Sequence, residues 1–229
     1  SDYENQIKAT ENSKYRIGSI TKTITATLIL KAVEEGKIIL DKKLSDFYPF
    51  IKNADKITIE QLLQHRSGIH SFTDDEDYET WNTQPKSEKE LLDIISKGHS
   101  EFKPDSTFQY SNPNYILLSF ILQKIYNKTY SEIVREKIVL PLGLNHTFFG
   151  SMINTQNNEC YSYSFSGKWE KETETDMSIP MGAGGIVSSP SDMVKFGNAL
   201  FSGKIISKKS FTQMTNLKDT YGMGVFKLP

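Results

Sequence analysis

The sequence is poor in cysteine, in long apolar runs and in excess charge of either sign. Cys160 is its single cysteine, so an internal disulfide is excluded and no group of cysteines is available to a metal ion. The most apolar stretch, residues 24–33, is broken by threonine and lysine and falls short of the roughly 18 to 20 residues that a membrane-spanning helix needs. The net charge of −1 gives no electrostatic reason to expect binding to nucleic acid or to an anionic membrane.

What the chain does contain is typical of a globular protein. Its 229 residues can bury the core of one large or two small domains. The 37% hydrophobic and 24% charged residues are ordinary proportions. We find no internal repeat and no low-complexity tract, so composition alone does not choose a function.

Helices are predicted over most of the chain. The first runs from about Ser19 to Glu35 and ends at Gly36, with apolar residues at helical spacing. Its four threonines are weak helix formers, so we expect tertiary packing to hold it as a buried helix. Other helices are predicted from Thr58 to Ser67-Gly68, from Ser87 to Gly98, from Pro113 to Tyr126 behind Ser111 and Asn112 as capping residues, from Thr129 to Pro141-Gly143, and from Ser189 to Phe201.

Few strands are evident. Residues 161–172 alternate aromatic and polar side chains around Ser166-Gly167, a pattern that predicts a hairpin. The final segment, YGMGVFKLP, is interpreted as the opening of a strand with nothing to pair against. Neither terminus has the pattern of a natural domain boundary.

The stretch YRIGSITKT places Ser19 three residues before Lys22 at the head of the first helix, so that both side chains lie on one face. A serine hydroxyl becomes a nucleophile when a base takes its proton, and a lysine can be that base when burial lowers its pKa. The backbone N–H of such a serine can also stabilise an oxyanion. The same letters describe a capping serine and a solvated lysine, and Ser100 with Lys103 matches them too, so this pattern alone leaves both interpretations open.

A second polar group, Tyr110-Ser111-Asn112, stands directly before an apolar helix. Tyrosine can share a proton with a lysine, and the asparagine amide can hold a substrate carbonyl. The alternative is an aromatic anchor followed by a capping asparagine, and taken alone this pattern favours that alternative.

Together these stretches resemble the penicillin-recognising serine hydrolases, in the branch of class C β-lactamases, DD-carboxypeptidases and related esterases. The segments that carry the resemblance are, in order, YRIGSITKTITATLILKAVEEGKIILDKKLSDFYP, ITIEQLLQHRSGI, YSNPNYILLSFILQKI, IVLPLGLNHT and GAGGIVSSPSDMVKFGNAL. They follow the family order over residues 15–200, which is more specific than any single motif.

The resemblance implies a role for each motif residue. Ser19 would be the acylated nucleophile and Lys22 its proton partner. Tyr110 would be the base that activates the serine and later the deacylating water, and Asn112 would hold the substrate amide and help to position Lys22. The implied reaction is acyl transfer from an amide, β-lactam or ester through a serine-bound intermediate, with no cofactor.

The resemblance also implies an α+β fold of the β-lactamase/transpeptidase-like type. Residues 1–229 would form a single domain, with a helical subdomain largely within residues 40–185. The implied partner is a small molecule or a peptidoglycan-like peptide, and export to the periplasm or the cell surface is implied as well.

The histidines and the GAGG glycines receive simpler interpretations. His65, in the stretch LLQHRSGI, is interpreted as a structural histidine, and His70, His99 and His146 as surface or loop residues. No stretch has the spacing of a zinc site, so no metal is expected. The GAGG glycines are expected to permit a tight backbone passage near the site.

The sequence also departs from the family pattern. A third motif, Lys or His followed by Thr or Ser and then Gly, is absent after Gly185, and only about 18 residues precede the nucleophile helix where the family has two strands. We therefore expect a chain truncated at both ends, mostly helical because sheet strands are missing, and catalytically poor or inactive as it stands. Missing strands would also expose an apolar sheet edge or helix faces and favour self-association. The alternative function is that of a binding module, with the chain a catalytically inactive fragment or an inactive relative.

Overall fold

Helices form most of the secondary structure in the computed structural model, which describes residue 6 and residues 8–227. In chain order they are α1 (Thr21–Glu34), α2 (Ile59–Leu63), α3 (Tyr78–Trp81), α4 (Glu88–Lys97), α5 (Asn112–Tyr126), α6 (Tyr130–Val134), α7 (Leu140–Leu142), α8 (Met181–Gly184), α9 (Pro190–Phe201) and α10 (Lys208–Met214). Short 3-10 turns join several of them.

The strands are short and form two separate sheets. They are β1 (Tyr15–Arg16), β2 (Phe148–Phe149), β3 (Tyr163–Phe165), β4 (Trp169–Lys171) and β5 (Ile186–Ser188). One antiparallel sheet has the order β1-β5-β2, with Tyr15 opposite Ser188 and Phe149 opposite Ile186. Strands β3 and β4 form the hairpin that the sequence predicts around residues 166 and 167.

Helix α1 is buried on almost every side, as its threonine-rich sequence indicates. It packs against α5 and α8, and α5 is equally apolar and buried over most of its length. The Thr25 hydroxyl is satisfied inside this core because it donates to the Gly182 carbonyl and lies 2.6 Å from the Tyr130 hydroxyl. Two buried helices in contact therefore form the base on which the site is built.

The local signals for helix starts are confirmed. A capping box forms at three of the predicted helix starts, with the side chain of the first residue accepting from the backbone of the second: Thr58 with Gln61, Ser87 with Glu90, and Thr129 with Glu132. The helix that begins after Thr129 runs through a wider π turn (Arg135–Val139) into α7 and ends at Gly143, whose φ is +61°. Proline at position 141 lies in the last turn of this continuous helix, directly after the π turn.

Two predicted helix boundaries are wrong. Helix α2 ends at Leu63, not at Ser67-Gly68, because His65 adopts a left-handed backbone with φ of +56° and its ring turns toward Tyr110. At the start of α5, Ser111 holds the capping position but its hydroxyl makes no capping hydrogen bond, and Asn112 is already helical. The side chain of Asn112 is thereby free to serve the site instead of the helix end.

The segment from residue 221 to residue 227 does not open a strand, contrary to the sequence prediction. Gly222 donates to the Val225 carbonyl, and the chain turns back on itself. Gly224, with φ of +70°, lies so close to α1 that an added Cβ would be 2.7 Å from the Lys22 carbonyl oxygen. The Thr23 hydroxyl donates to the Gly224 carbonyl at 2.7 Å, so the segment packs against α1 and is hydrogen-bonded to it.

The described residues share one continuous apolar core that extends from α1 to Met223. In this described part of the chain, none of the helices combines the length and the apolarity required to cross a membrane.

Candidate active site

The fold brings the four predicted site residues together from two distant segments. Ser19 lies in a 3-10 turn (Gly18–Ile20) directly before α1, and the Ile17 N–H fixes this turn by donating to the Ile186 carbonyl in β5. Lys22 Nζ lies 3.1 Å from Ser19 Oγ and 2.8 Å from Asn112 Oδ1. The Tyr110 hydroxyl donates to Ser19 Oγ at 2.7 Å.

Lys22 is almost fully buried, with 1% of its surface exposed. Its Nζ also donates to the Ala183 carbonyl at 2.9 Å, and it lies 4.7 Å from the centre of the Tyr110 ring. Burial lowers the pKa of Lys22 to about 7, because an ammonium group loses its hydration there. A substantial share of Lys22 is therefore neutral at neutral pH.

Tyr110 is protonated at neutral pH and partly exposed, with 37% of its surface accessible. Burial raises its pKa above the ordinary value of 10, and the hydrogen bond to Ser19 lowers it by less. Its ring packs against the ring of His65 with centroids 4.4 Å apart, which holds the hydroxyl over Ser19.

His65 has the geometry of a structural residue. It is fully buried, and its Nδ1 accepts from the Ser111 N–H at 3.1 Å. Burial, with a smaller contribution from the charge of Lys22, lowers its pKa to about 3. A neutral ring that holds the backbone next to Tyr110 and supports the Tyr110 ring agrees with the structural interpretation.

Asn112 is oriented by the loop that follows His65. Its Nδ2 donates to Thr73 Oγ1 at 2.8 Å, and its backbone N–H donates to Ser71 Oγ at 3.4 Å. The amide oxygen is thereby turned toward Lys22. Sequence reasoning missed Thr73 and Ser71, because nothing in their local pattern shows which helix end they contact.

The Ala183 carbonyl is a further hydrogen-bond acceptor of Lys22 that sequence reasoning missed. The glycines of the GAGG stretch did indicate a close backbone approach near the site. An added Cβ at Gly182 would lie 2.7 Å from Ser119 Cβ and 2.8 Å from the Tyr115 carbonyl oxygen. One at Gly185 would lie 2.6 Å from the Phe149 ring. Only glycine lets α8 approach α5 and β2 closely enough to present Ala183 to Lys22.

Ser19 contributes to the walls of two pockets. One, of about 350 Å³, is lined by groups that include Asn112, Thr73 and Tyr78. The other, of about 490 Å³, is more apolar, and Phe108 and Tyr221 are among its walls. A substrate whose carbonyl carbon reached Ser19 could place one group in each pocket.

The second match to the serine–lysine pattern has no comparable setting. Ser100 Oγ donates to the Phe102 carbonyl at 2.9 Å and accepts from the Asn53 amide at 3.1 Å. These bonds hold a loop, so Ser100 serves as a structural residue.

The family profile described as Beta-lactamase matches residues 1–227. The chain belongs to this beta-lactamase family. The α+β, β-lactamase/transpeptidase-like fold that the sequence predicts is therefore confirmed, and the family assignment with it.

Individual proteins similar to this family member are bacterial and archaeal. The putative penicillin-binding protein PbpX of Bacillus subtilis (strain 168) is 29% identical over 231 residues, a match that covers 100% of this chain and 57% of that protein. The crystal structure of D-amino acid amidase from Ochrobactrum anthropi SV3, complexed with L-phenylalanine amide, has a TM-score of 0.86 at 27% identity and covers 98% of this chain and 69% of that one. The octameric penicillin-binding protein homologue from Pyrococcus abyssi has a TM-score of 0.78 at 28% identity, covering 97% of this chain and 55% of that one.

These matches place the chain among hydrolase relatives. The chain spans 57% of the length of the Bacillus relative. The roles of Ser19, Lys22, Tyr110 and Asn112 remain predictions, which the geometry above makes specific.

Proposed function

We propose that this family member is a serine hydrolase in which Ser19 is acylated by an amide, β-lactam or ester substrate. The observation that carries the proposal is the environment of the Lys22 amine. A neutral amine has two N–H groups and one lone pair, and the two carbonyl oxygens of Asn112 and Ala183 accept from it. Its remaining neighbour is Ser19 Oγ, at 3.1 Å, so the lone pair can take the serine proton.

The protonation state of Lys22 decides which of the two residues donates the hydrogen bond between Lys22 and Ser19. As an ammonium group, Lys22 donates to Ser19 Oγ and makes the oxygen a poorer nucleophile. As a neutral amine, it accepts from the Ser19 O–H. Because its pKa is about 7, a useful share of the neutral form is present near neutral pH.

Tyr110 is proposed as a proton carrier instead of the base that the family resemblance implies. Its raised pKa means that a phenolate is scarce at neutral pH. The Tyr110 hydroxyl, 2.7 Å from Ser19 Oγ, can instead donate its proton to the leaving group as that group departs. Tyr110 then recovers a proton from Lys22.

The reaction then proceeds in two balanced transfers. Ser19 Oγ bonds to the substrate carbonyl carbon as its proton moves to Lys22. The bond to the leaving amine or alkoxide breaks as the leaving group receives a proton through Tyr110. A water molecule then attacks the ester carbonyl as its proton passes to the neutral Lys22. The bond between the carbonyl carbon and Ser19 Oγ breaks, Ser19 recovers a proton from Lys22 at 3.1 Å, and the acid is released. The N–H of Ser19 at the helix start is the proposed oxyanion donor.

The substrate class that we place first is the amide of a D-amino acid, on the strength of the amidase named above. Asn112 lines the smaller pocket, and the second N–H of its Nδ2, beside the one that donates to Thr73, is the proposed donor to the substrate amide carbonyl. The second and more apolar pocket beside Ser19 suits an aromatic or aliphatic side chain.

The test is covalent labelling with a fluorescent penicillin and with a fluorophosphonate, which report acylation and phosphonylation of an activated serine. The absent third motif predicts slow turnover, but the contacts of Ser19 with Lys22 and Tyr110 are complete, so we expect the unaltered chain to be labelled and Ser19→Ala to be unlabelled. Ser100→Ala is the matched control, since it removes the serine of the second pattern, and it should retain the label. Hydrolysis of D- and L-phenylalanine amide by the same three proteins then tests the substrate class.

Two outcomes would overturn the proposal. Labelling that persists in Ser19→Ala would place the nucleophile elsewhere. Saturable binding of penicillin without any covalent adduct would show the binding module that is the alternative function.

Self-association and export complete the proposal. One similar structure is octameric, and apolar side chains such as Phe226 and Ile20 are more than half exposed beside the apolar pocket. We infer that copies of this chain associate, and its mass in solution tests this, since a monomer at high concentration would contradict it.

Export to the cell surface is inferred from the penicillin-binding relative and is tested by fractionating cells that carry the parent gene.

A further inference from the structure

A second cluster of reactive side chains lies away from Ser19, at the far end of the loop that orients Asn112. His70 Nδ1 is 2.6 Å and His99 Nε2 is 3.0 Å from the same oxygen, Oε1 of Glu101. The three candidate ligand atoms all lie within 4.8 Å of one another. Two imidazole nitrogens aimed at one carboxylate oxygen are a common donor set for zinc.

The backbone holds these donors in place. The Glu101 N–H donates to the Gly68 carbonyl at 2.9 Å, and Ile69 pairs with Ser100 as a β-bridge. Gly68 has φ of +75°, and an added Cβ there would lie 2.2 Å from the Phe102 carbonyl oxygen. The two segments that carry the cluster are therefore fixed against each other before any ion binds.

Asp75 orients the first histidine. Carboxylate oxygens only accept, so in the metal-free cluster both ring nitrogens of His70 donate: Nε2–H to Asp75 Oδ1 at 2.7 Å and Nδ1–H to Glu101 Oε1 at 2.6 Å. Metal-binding histidines are held in the same way by a carboxylate on their second nitrogen. Asp75 thus keeps Nδ1 directed toward the cluster, where a metal ion would displace its proton.

We propose that His70, His99 and Glu101 bind a zinc ion, with Asp75 as the positioning residue for His70. Bonds of about 2.0–2.1 Å in tetrahedral geometry separate ligand atoms by roughly 3.3 Å, so modest side-chain rotations suffice. The ion would replace the proton that otherwise lies between His70 and Glu101. Its fourth position faces solvent, since 65% of the His99 side chain is exposed and a pocket of about 460 Å³ adjoins it. Lys97 lines that pocket and is the nearby charge that opposes the ion.

The site has a structural consequence for the loop. Ser71 and Thr73, which hold Asn112, follow His70 by one and three residues. A zinc ion at His70 would therefore anchor one end of that loop. The zinc ion would take no part in the reaction at Ser19, so zinc binding can be measured without an activity assay.

The test is titration of the full chain with zinc chloride, followed by calorimetry, and with cobalt chloride, followed by visible absorption. We expect one ion per chain at micromolar affinity and a cobalt spectrum of tetrahedral type. His99→Ala and Glu101→Gln should weaken zinc binding at least ~10-fold, and Asp75→Asn by ~10–100-fold. His99→Ala changes an exposed side chain, so loss of folding does not confound it.

The matched control is His146→Gln, which removes a histidine outside the cluster and should leave zinc affinity unchanged. At one zinc concentration, zinc should also raise the unfolding temperature of the chain and of this control by more than it raises that of His99→Ala. The proposal is wrong if no saturable binding occurs, or if zinc binds His99→Ala and Glu101→Gln as tightly as it binds the unaltered chain.

Discussion

Lys22 joins two properties that compete in the same side chain, burial and proton transfer. Its methylene stem and its amine are enclosed by α1, α5 and α8, which removes the water that would favour the ammonium form. The same enclosure places the amine 3.1 Å from Ser19 Oγ. The residue is thus costly for folding while it carries a proton and useful for chemistry when it does not.

The first prediction concerns the pH dependence of fluorophosphonate labelling. The labelling rate should rise with pH and level off above a midpoint of about 7, the pKa of Lys22, because only the neutral amine accepts the Ser19 proton. Lys22→Met should lower the rate by ~10²–10⁴-fold. Tyr110→Phe should be slower but keep the same midpoint, and loss of the midpoint in that variant would assign the base to Tyr110.

The second prediction concerns stability and the same lysine. The folded-state pKa of about 7 lies below the ordinary value of 10.5, so between these values the unfolded chain binds the extra proton. The free energy of unfolding should therefore rise from pH 7 upward, on the order of a few kcal/mol in full. Urea unfolding compared with Lys22→Met at each pH isolates this contribution, because other titrating groups are common to both proteins. Parallel profiles for the two proteins would show that Lys22 is not buried as described.

At the scale of elements, the approach of α8 to α5 decides whether Ala183 reaches Lys22. Gly182→Ala would force a Cβ to within 2.7 Å of Ser119 Cβ, and such overpacking costs typically ~1–3 kcal/mol. We expect a lower unfolding temperature and slower labelling of Ser19. Gly197→Ala is the control, since nothing lies within 4 Å of its added Cβ inside α9, and it should stabilise by ~0.5–1 kcal/mol. Equal effects of the two changes would contradict this view of α8.

The elements that sequence reasoning found are those whose signals are local. Capping boxes act over three residues, and the apolar helices α1 and α5 are long enough to show their character. Helix α10 was missed because its seven residues carry weak signals, and contacts with α1 hold it: the Ser207 N–H donates to Glu34, and Met214 is buried. The β1-β5-β2 sheet was missed because strands of two or three residues show no alternation.

The site residues also fall into those with local sequence signals and those that depend on packing between distant segments. Ser19, Lys22, Tyr110 and Asn112 follow from two short motifs and a resemblance. The Ala183 carbonyl and the His70–Glu101 cluster depend on which distant segments pack together. His70 and Glu101 are some thirty residues apart in the sequence, a spacing that does not indicate a metal site. The sequence analysis therefore expects no metal, and the zinc proposal opposes that expectation.

At the scale of the whole molecule, the apolar core is continuous from α1 to Met223. The division of residues 1–229 into one domain with a helical subdomain stays a prediction, and the core gives it a test. Calorimetry should show one cooperative unfolding transition whose calorimetric and van't Hoff enthalpies agree. Two separated transitions would mean that the helical part folds independently of α1.

The proposed function of the molecule depends on one covalent bond, and peptide-level mass spectrometry after incubation with a penicillin measures it most directly. The proposal predicts a penicilloyl adduct on the peptide that contains Ser19, with fragment ions that place it on Ser19 and not on Thr21 or Thr23. An unmodified Ser19 peptide, in a chain whose circular dichroism shows it folded, would contradict the proposal.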